Sequence, residues 1–315
     1  MTSVPAEPAD ATGPGARTGT GGGQTDPAFP GWDWEDPARL DTLMARFTEN
    51  LAACETLETV RAKAPRTRAD FLELGLTGIE FASFRTPHPQ GLGTDLLPLH
   101  TPQTSTAPGP LYLVDGVHRF TQLDIGEPLP FDDAVVDWVY AEHLVEHVPL
   151  GIVIGWLGEV RRVLRPGGVL RLTTPDLELY VRGYLDQRGG FFARHRRRLR
   201  TLRVGPPMPE RRAFMVNQIF YHFGHRWIYD EAELRYALAV AGFDGWQVSR
   251  RDYREGTRND VAALDTGFRR DETLYLEAVA PGAPPSESAI PADADEDATE
   301  DATDAATAHT PEETR

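Results

Sequence analysis

The densest polar chemistry in the chain is the six-residue run Glu142-His-Leu-Val-Glu-His147, with two imidazoles and two carboxylates. An imidazole titrates near neutrality, so His143 can exchange a proton with a substrate, or it can simply hold a loop by hydrogen bonding. Glu146 and His147 read as structural groups at the start of a helix. A second cluster is His222 and His225 in YHFGHRWIYD, where either histidine could serve as a base, or the surrounding aromatics could form a core with Gly224-His225 as its turn. A third is FARHRRRLR, with Arg194, Arg196, Arg197, Arg198 and Arg200. It reads either as a solvated helix face or as a clamp for an anionic group such as a nucleotide sugar or phosphorylated glycan.

These groups need elements to position them. Leu40, Leu43, Met44, Phe47 and Leu51 recur at helical spacing behind Asp36 and Pro37, which predicts a helix running to about Lys63. Strands are expected over 78–83, 117–124, 134–140, 169–173, 246–251 and 273–279, and Gly93–Leu97 interrupts a stretch, 85–110, rich in Pro, Gly and Thr. Helices are expected over about 150–165, 177–187 and 230–241, the first stopped by Pro166-Gly-Gly and the last by Gly242. Strands alternating with helices predict an α/β layered domain with a mostly parallel sheet, whose ligands bind beyond the carboxyl ends of the strands.

The formal net charge is −16, but it is unevenly spread. Residues 1–30 carry three acids against Arg17, and residues 281–315 carry ten acids against Arg315, so the region between them is nearly balanced. Both ends are poor in large apolar side chains and are expected to be disordered. The organisation expected is a tail over 1–30, a helical extension over 31–70, a main domain over 71–280 with an Arg-rich insertion at about 188–215, and an acidic tail over 281–315. Cys54 is the single cysteine, which excludes an internal disulfide and a cysteine zinc site. No apolar run reaches 18 residues and no signal peptide is read, so a cytoplasmic location without a membrane span is expected. The acidic balance argues against nucleic acid as partner. The bases are 31 Arg against the one Lys63, a usage that fits a GC-rich bacterial genome.

The stretch FTQLDIGEPLPFDDAVVDWVYAEHLVEHVPLGIVIGWLGEVRRVLRPGGVLRLTTPD resembles the class I S-adenosylmethionine-dependent methyltransferases, and within them small bacterial enzymes with an EHxxEH run after the fourth strand. FGHRWIYDEAELRYALAVAGF and the closing ETLYLEA extend the likeness to about residues 70–280. The resemblance implies a Rossmann-like, doubly wound, mostly parallel seven-stranded sheet with helices on both faces. It implies S-adenosylmethionine as cofactor and no metal. By the resemblance, Asp95, with Leu96 beside it, binds the ribose hydroxyls. Asp124 binds the adenine amino group, with Ile125 packed on the ring. Glu142 borders the cofactor, and His143 lies nearest its sulfonium, with His225 over the substrate end.

One part departs from the family pattern. The glycine-rich loop after the first strand is matched by Ala82 and Ser83 in IEFASF, whereas the two glycines of ELGLTG, 73–78, lie farther from Asp95. The implied reaction is methyl transfer to an O or N nucleophile of a small molecule or saccharide. The weakened loop keeps open a catalytically inactive, methyltransferase-like partner protein. His143–His147 also spells H-x-x-E-H, the string of one zinc peptidase family, in which two histidines share a helix face. The acceptor and the oligomeric state are not readable from the sequence.

Overall fold

The computed structural model describes residue 45 and residues 48–201 and 208–282; the predicted N-terminal tail, the predicted C-terminal tail from residue 283 and the first part of the predicted first helix lie outside the described residues. One nine-stranded sheet organises the described chain, in the order β1-β4-β5-β3-β2-β6-β7-β9-β8. The strands are β1 (Leu57–Arg61), β2 (Gly78–Phe81), β3 (Gly91–Asp95), β4 (Leu111–Val114), β5 (His118–Gln122), β6 (Val136–Glu142), β7 (Leu164–Pro175), β8 (Val248–Arg251) and β9 (Thr273–Val279). The helices are α1 (Arg68–Glu73), α2 (Leu150–Val163), α3 (Leu177–Leu185), α4 (Gly190–Thr201), α5 (Arg212–Tyr221), α6 (Glu231–Val240) and α7 (Asn259–Ala262).

The inner strands β5, β3, β2, β6 and β7 run parallel, and β9 and β4 are antiparallel to their neighbours. β2 is buried at every position, as expected for a parallel strand covered on both faces. Register aligns the carboxyl ends: Phe81 pairs with Thr94 and Ala141, Asp95 with Gln122, and Glu142 with Thr173. Asp95, Glu142 and the residues after Phe81 and Gln122 therefore share one edge of the sheet.

The main core fills one face. α2 supplies Val153, Trp156, Leu157, Val160 and Val163, a helical stripe, against Ile79, Phe81, Val139 and Leu170, with Phe71 of α1 and Leu234 and Leu238 of α6 beside it. The other face is closed over Trp138 and Tyr140 by Val261 and Leu264 in and after α7. Local signals set the helix ends. Thr67 and Asp70 form a capping box on α1, Asp176 accepts from Glu178 N at 3.0 Å, and Asp230 accepts from Glu233 N at 2.9 Å. Gly242 follows α6 at φ 93°, the left-handed position that glycine fills.

Several expectations need correction. The sheet has nine strands rather than seven, because β1 and β4 extend it beyond β5. The helix predicted to reach Lys63 does not: residues 48–52 are helical, and Leu57–Arg61 pairs with β4 instead. β4 hides between Pro110 and the Asp115-Gly116 turn, too short for an alternating pattern to register. Among the described residues, the Arg-rich segment contributes α4 and the start of α5, which pack with α3 around Tyr180, Phe192, Met215 and Ile219. The crossover from β2 to β3 uses only residues 82–90 and contains no helix, shorter than parallel strands usually require.

Candidate active site

The carboxyl-end edge begins at the turn after β2. Ala82 has φ 52°, a left-handed conformation that costs a residue with a Cβ about 1–2 kcal/mol and that glycine adopts freely. An alanine thus holds the backbone shape expected of a glycine loop. Ser83 N donates to Thr94 O at 2.9 Å, and a Cβ on Gly93 would stand 2.9 Å from Ser83 O, so the turn lies close on β3.

Asp95 ends β3 half-buried, and its Oδ1 accepts from Leu97 N at 2.9 Å. Burial pushes its carboxyl up to about 6, against the backbone amides of Leu97 and Leu96, and no cation pairs with it among the described residues. Leu96 beside it is exposed. Across the edge, Asp124 is exposed and turns the chain by accepting from Gly126 N at 2.8 Å, while Ile125 packs partly on the main core.

One residue that the sequence reading passed over belongs here. Glu80 sits in β2 between Ile79 and Phe81, beside Ser83, Thr86 and Glu142. Burial raises its carboxyl to about 7, and its Oε2 is buried without a hydrogen-bond partner. The signal was available: an acid within a fully buried parallel strand is out of place unless something satisfies it. A cofactor with a positive sulfonium and ammonium and a ribose diol fits this edge, which offers Glu80, Asp95 and a backbone turn with little side-chain bulk.

The loop after β6 is more tightly tied. Glu142 Oε1 accepts from the amide of Thr266 at 2.9 Å and from its hydroxyl at 3.0 Å. His143 is buried at φ 51°, with Nδ1 3.0 Å from Glu146 Oε1 and Nε2 2.9 Å from Thr273 Oγ1. Its Nε2 is hydrogen-bonded, and its Nδ1 faces the Glu146 carboxylate. Glu146 is fully buried, and its Oε2 accepts from Thr174 Oγ1 at 3.1 Å. Burial pushes its carboxyl up, but the neighbouring His143, His147 and His225 outweigh that and hold it at about 2. Val145–His147 is a single 3-10 turn, so His143 and His147 do not share a helix face and the zinc-peptidase arrangement is absent. Glu146 and His147 accordingly do not start a helix; α2 begins at Leu150.

His225 comes from the segment before α6 and meets this loop. The amides of Arg226 and Trp227 donate to Glu146 O at 2.6 and 3.2 Å, and the rings of His225 and His147 lie 4.9 Å apart. The structure thus brings His143, Glu146, His147 and His225 together. The His222 ring lies against Phe214 and Phe223, within electrostatic reach of His225.

Residues 90–172 match the family model described as a methyltransferase domain. The match covers about a quarter of the chain, and the cofactor named for enzymes of this kind is S-adenosylmethionine. The matched span runs from β3 to β7 and so contains Asp95, Asp124 and the loop after β6. No curated protein sequence matches the chain. Among solved structures, it is similar to an S-adenosylmethionine-dependent methyltransferase from Mesorhizobium loti, at 15% identity over 65% of this chain and 91% of that one, with TM-score 0.37. It is also similar to geranyl diphosphate C-methyltransferase from Streptomyces coelicolor A3(2), at 13% identity over 82% and 86% of the two chains, with TM-score 0.33. Among the described residues, no helix is long and apolar enough to cross a membrane.

Proposed function

We propose that the chain transfers the methyl group of S-adenosylmethionine to an O or N nucleophile of a small molecule or saccharide. The observation that carries this is the shared edge on which Asp95, the left-handed turn at Ala82-Ser83 and the Asp124-Ile125 turn follow three adjacent parallel strands. In this reading Asp95 accepts from the two ribose hydroxyls, and Asp124 takes the adenine amino group with Ile125 under the ring. Glu80 and the Ala82-Ser83 turn face the methionine end, with Glu142 and Leu96 bordering the pocket.

S-adenosylmethionine supplies a methyl group already activated by its sulfonium, so the protein's work is to align the acceptor and manage its proton. The sequence reading placed that task on His143 first and His225 second. Their order reverses here. His143 is spent on Glu146 and Thr273, and we assign it as a positioning residue for Glu146. His225 Nδ1 faces Ile219 O at 2.6 Å, a carbonyl that only accepts, so its Nε2 carries a lone pair. The His225–Glu146 cluster is therefore the group suited to loosening an acceptor's proton.

The acceptor we favour is anionic. Arg194, Arg197, Arg198 and Thr201 of α4 line a shallow cavity of about 300 Å³. Arg196 and Arg198 are engaged by Glu210 and Asp271 at 3.3 and 3.4 Å, whereas Arg194 and Arg197 have no carboxylate partner among the described residues. The test is transfer of labelled methyl from S-adenosylmethionine to a panel of phosphorylated and neutral sugars. Arg194→Ala with Arg197→Ala is expected to raise KM for phosphorylated acceptors only. Equal turnover of both classes before and after the substitutions would remove the anionic assignment.

A further inference from the structure

The cluster behind the cofactor edge has properties that proton transfer alone does not explain. One ligating atom each of Glu146, His147 and His225 lies within 4.8 Å of the others. Glu146 is fully buried, and while Oε2 is held by Thr174, Oε1 has no hydrogen bond of good geometry, although His143 Nδ1 stands 3.0 Å away and His147 Nε2 4.0 Å away. A buried carboxylate oxygen left in that state is costly unless a cation completes it.

The histidines are prepared in the same sense. His225 Nδ1 is fixed on Ile219 O at 2.6 Å, which leaves Nε2 as the unprotonated nitrogen. Histidines that bind metals characteristically hold their other ring nitrogen on a carbonyl or carboxylate in this way. The His147 side chain is 38% exposed, so the cluster is open to solvent on one side. The Arg226 and Trp227 amides clamp the His225 segment onto Glu146 O, so ligands from two distant stretches of chain are held in place without an ion.

We propose that Glu146, His147 and His225 bind one divalent transition-metal ion of the zinc class, leaving a coordination position for water or the acceptor. Two imidazoles and a carboxylate suit Zn²⁺, Co²⁺ or Fe²⁺ and not the all-oxygen preference of Mg²⁺ or Ca²⁺. This departs from the metal-free expectation of the sequence. Binding of the ion stands on the cluster alone; its use rests on the methyl-transfer reading, in which an acceptor hydroxyl on the open position would lose its proton to solvent more readily, His225 then holding the ion in place of taking the proton.

The test is titration of the full, chelator-treated chain with Co²⁺, followed by visible absorption and calorimetry, with Zn²⁺ in competition. One equivalent is expected, with d–d bands that Zn²⁺ abolishes. His147→Ala and His225→Ala, checked for folding by circular dichroism, should each weaken binding by at least about tenfold, the loss that even an indirect metal partner causes. His100→Ala, outside the cluster, should leave binding unchanged. Substoichiometric binding by the wild type, or unchanged binding by both cluster variants, overturns the proposal. A parallel titration with S-adenosylhomocysteine separates the two readings: cofactor binding without Co²⁺ binding sinks the metal site alone, and the reverse sinks the methyltransferase reading alone.

Discussion

The imidazole of His143 faces the carboxylate of Glu146 at 3.0 Å, both side chains buried. Thr273 Oγ1 donates to Arg269 O at 2.7 Å and so accepts from His143 Nε2, leaving Nδ1 aimed at the carboxylate. The pair sits on a left-handed residue at the exit of a central strand, and it joins the loop after β6 to the start of β9. Removing one partner of such a pair leaves a buried charge uncompensated, a loss of about 3–5 kcal/mol. His143→Ala is expected to lower urea stability by that order. If His143→Ala matches the wild type in urea, the pair does not hold the loop.

A second buried pair secures the opposite face of the sheet. Arg171 of β7 is fully buried, with Nε and Nη2 on Asp265 at 2.8 and 2.5 Å and Nη1 on Glu277 at 3.1 Å. Tyr140 and the amide of Arg254 also reach Asp265. Asp265→Ala should therefore cost about 3–5 kcal/mol in denaturant unfolding and loosen the segment that carries Thr266, the partner of Glu142. A loss below about 1 kcal/mol, the scale of an exposed ion pair, would contradict this.

Ala82 offers the reverse effect. Glycine relieves its left-handed backbone but adds freedom to the unfolded chain, so Ala82→Gly is expected to be neutral or stabilising by up to about 1 kcal/mol. Thermal melting checks the sign. A clear fall in Tm would show that the Cβ of Ala82 packs usefully.

Glu80 predicts a pH dependence. Its carboxyl is raised by burial to about 7, so between its ordinary value and about 7 the folded chain holds a proton that the unfolded chain has released. The stability Glu80 contributes is full below its ordinary value and is lost as pH rises to about 7. Glu80→Gln should flatten that slope and exceed the wild type in stability at pH 8. Parallel pH profiles for the two proteins would assign the slope elsewhere.

The strand before the 142–147 loop and the closing strand Thr273–Val279 are plain in the sequence as apolar runs, whereas the strand that ends at Asp95 lies in a Pro- and Gly-rich stretch with little pattern of its own. What was hidden depends on distance along the chain. Asp265 lies 94 residues from Arg171, and no spacing rule joins them. His225 meets Glu146 through backbone bonds that periodicity does not encode. Glu80 is hidden inside an apolar run that spells a buried strand, and only the structure shows that no partner satisfies its Oε2. The apolar stripe ends at Leu51, and beyond it Leu57–Arg61 carries no pattern of its own, so tertiary pairing with β4 decides its structure.

Whether the edge containing Asp95 holds S-adenosylmethionine is decided by calorimetric titration with S-adenosylhomocysteine at pH 7 and pH 5. One site is expected on the full chain. Affinity should fall at pH 5, because the Asp95 carboxyl, raised by burial to about 6, is then mostly protonated. Asp95→Ala should weaken binding at pH 7 and remove this pH dependence. A wild-type chain that binds neither the cofactor nor its demethylated product at millimolar concentration would contradict the account and favour a non-catalytic partner protein.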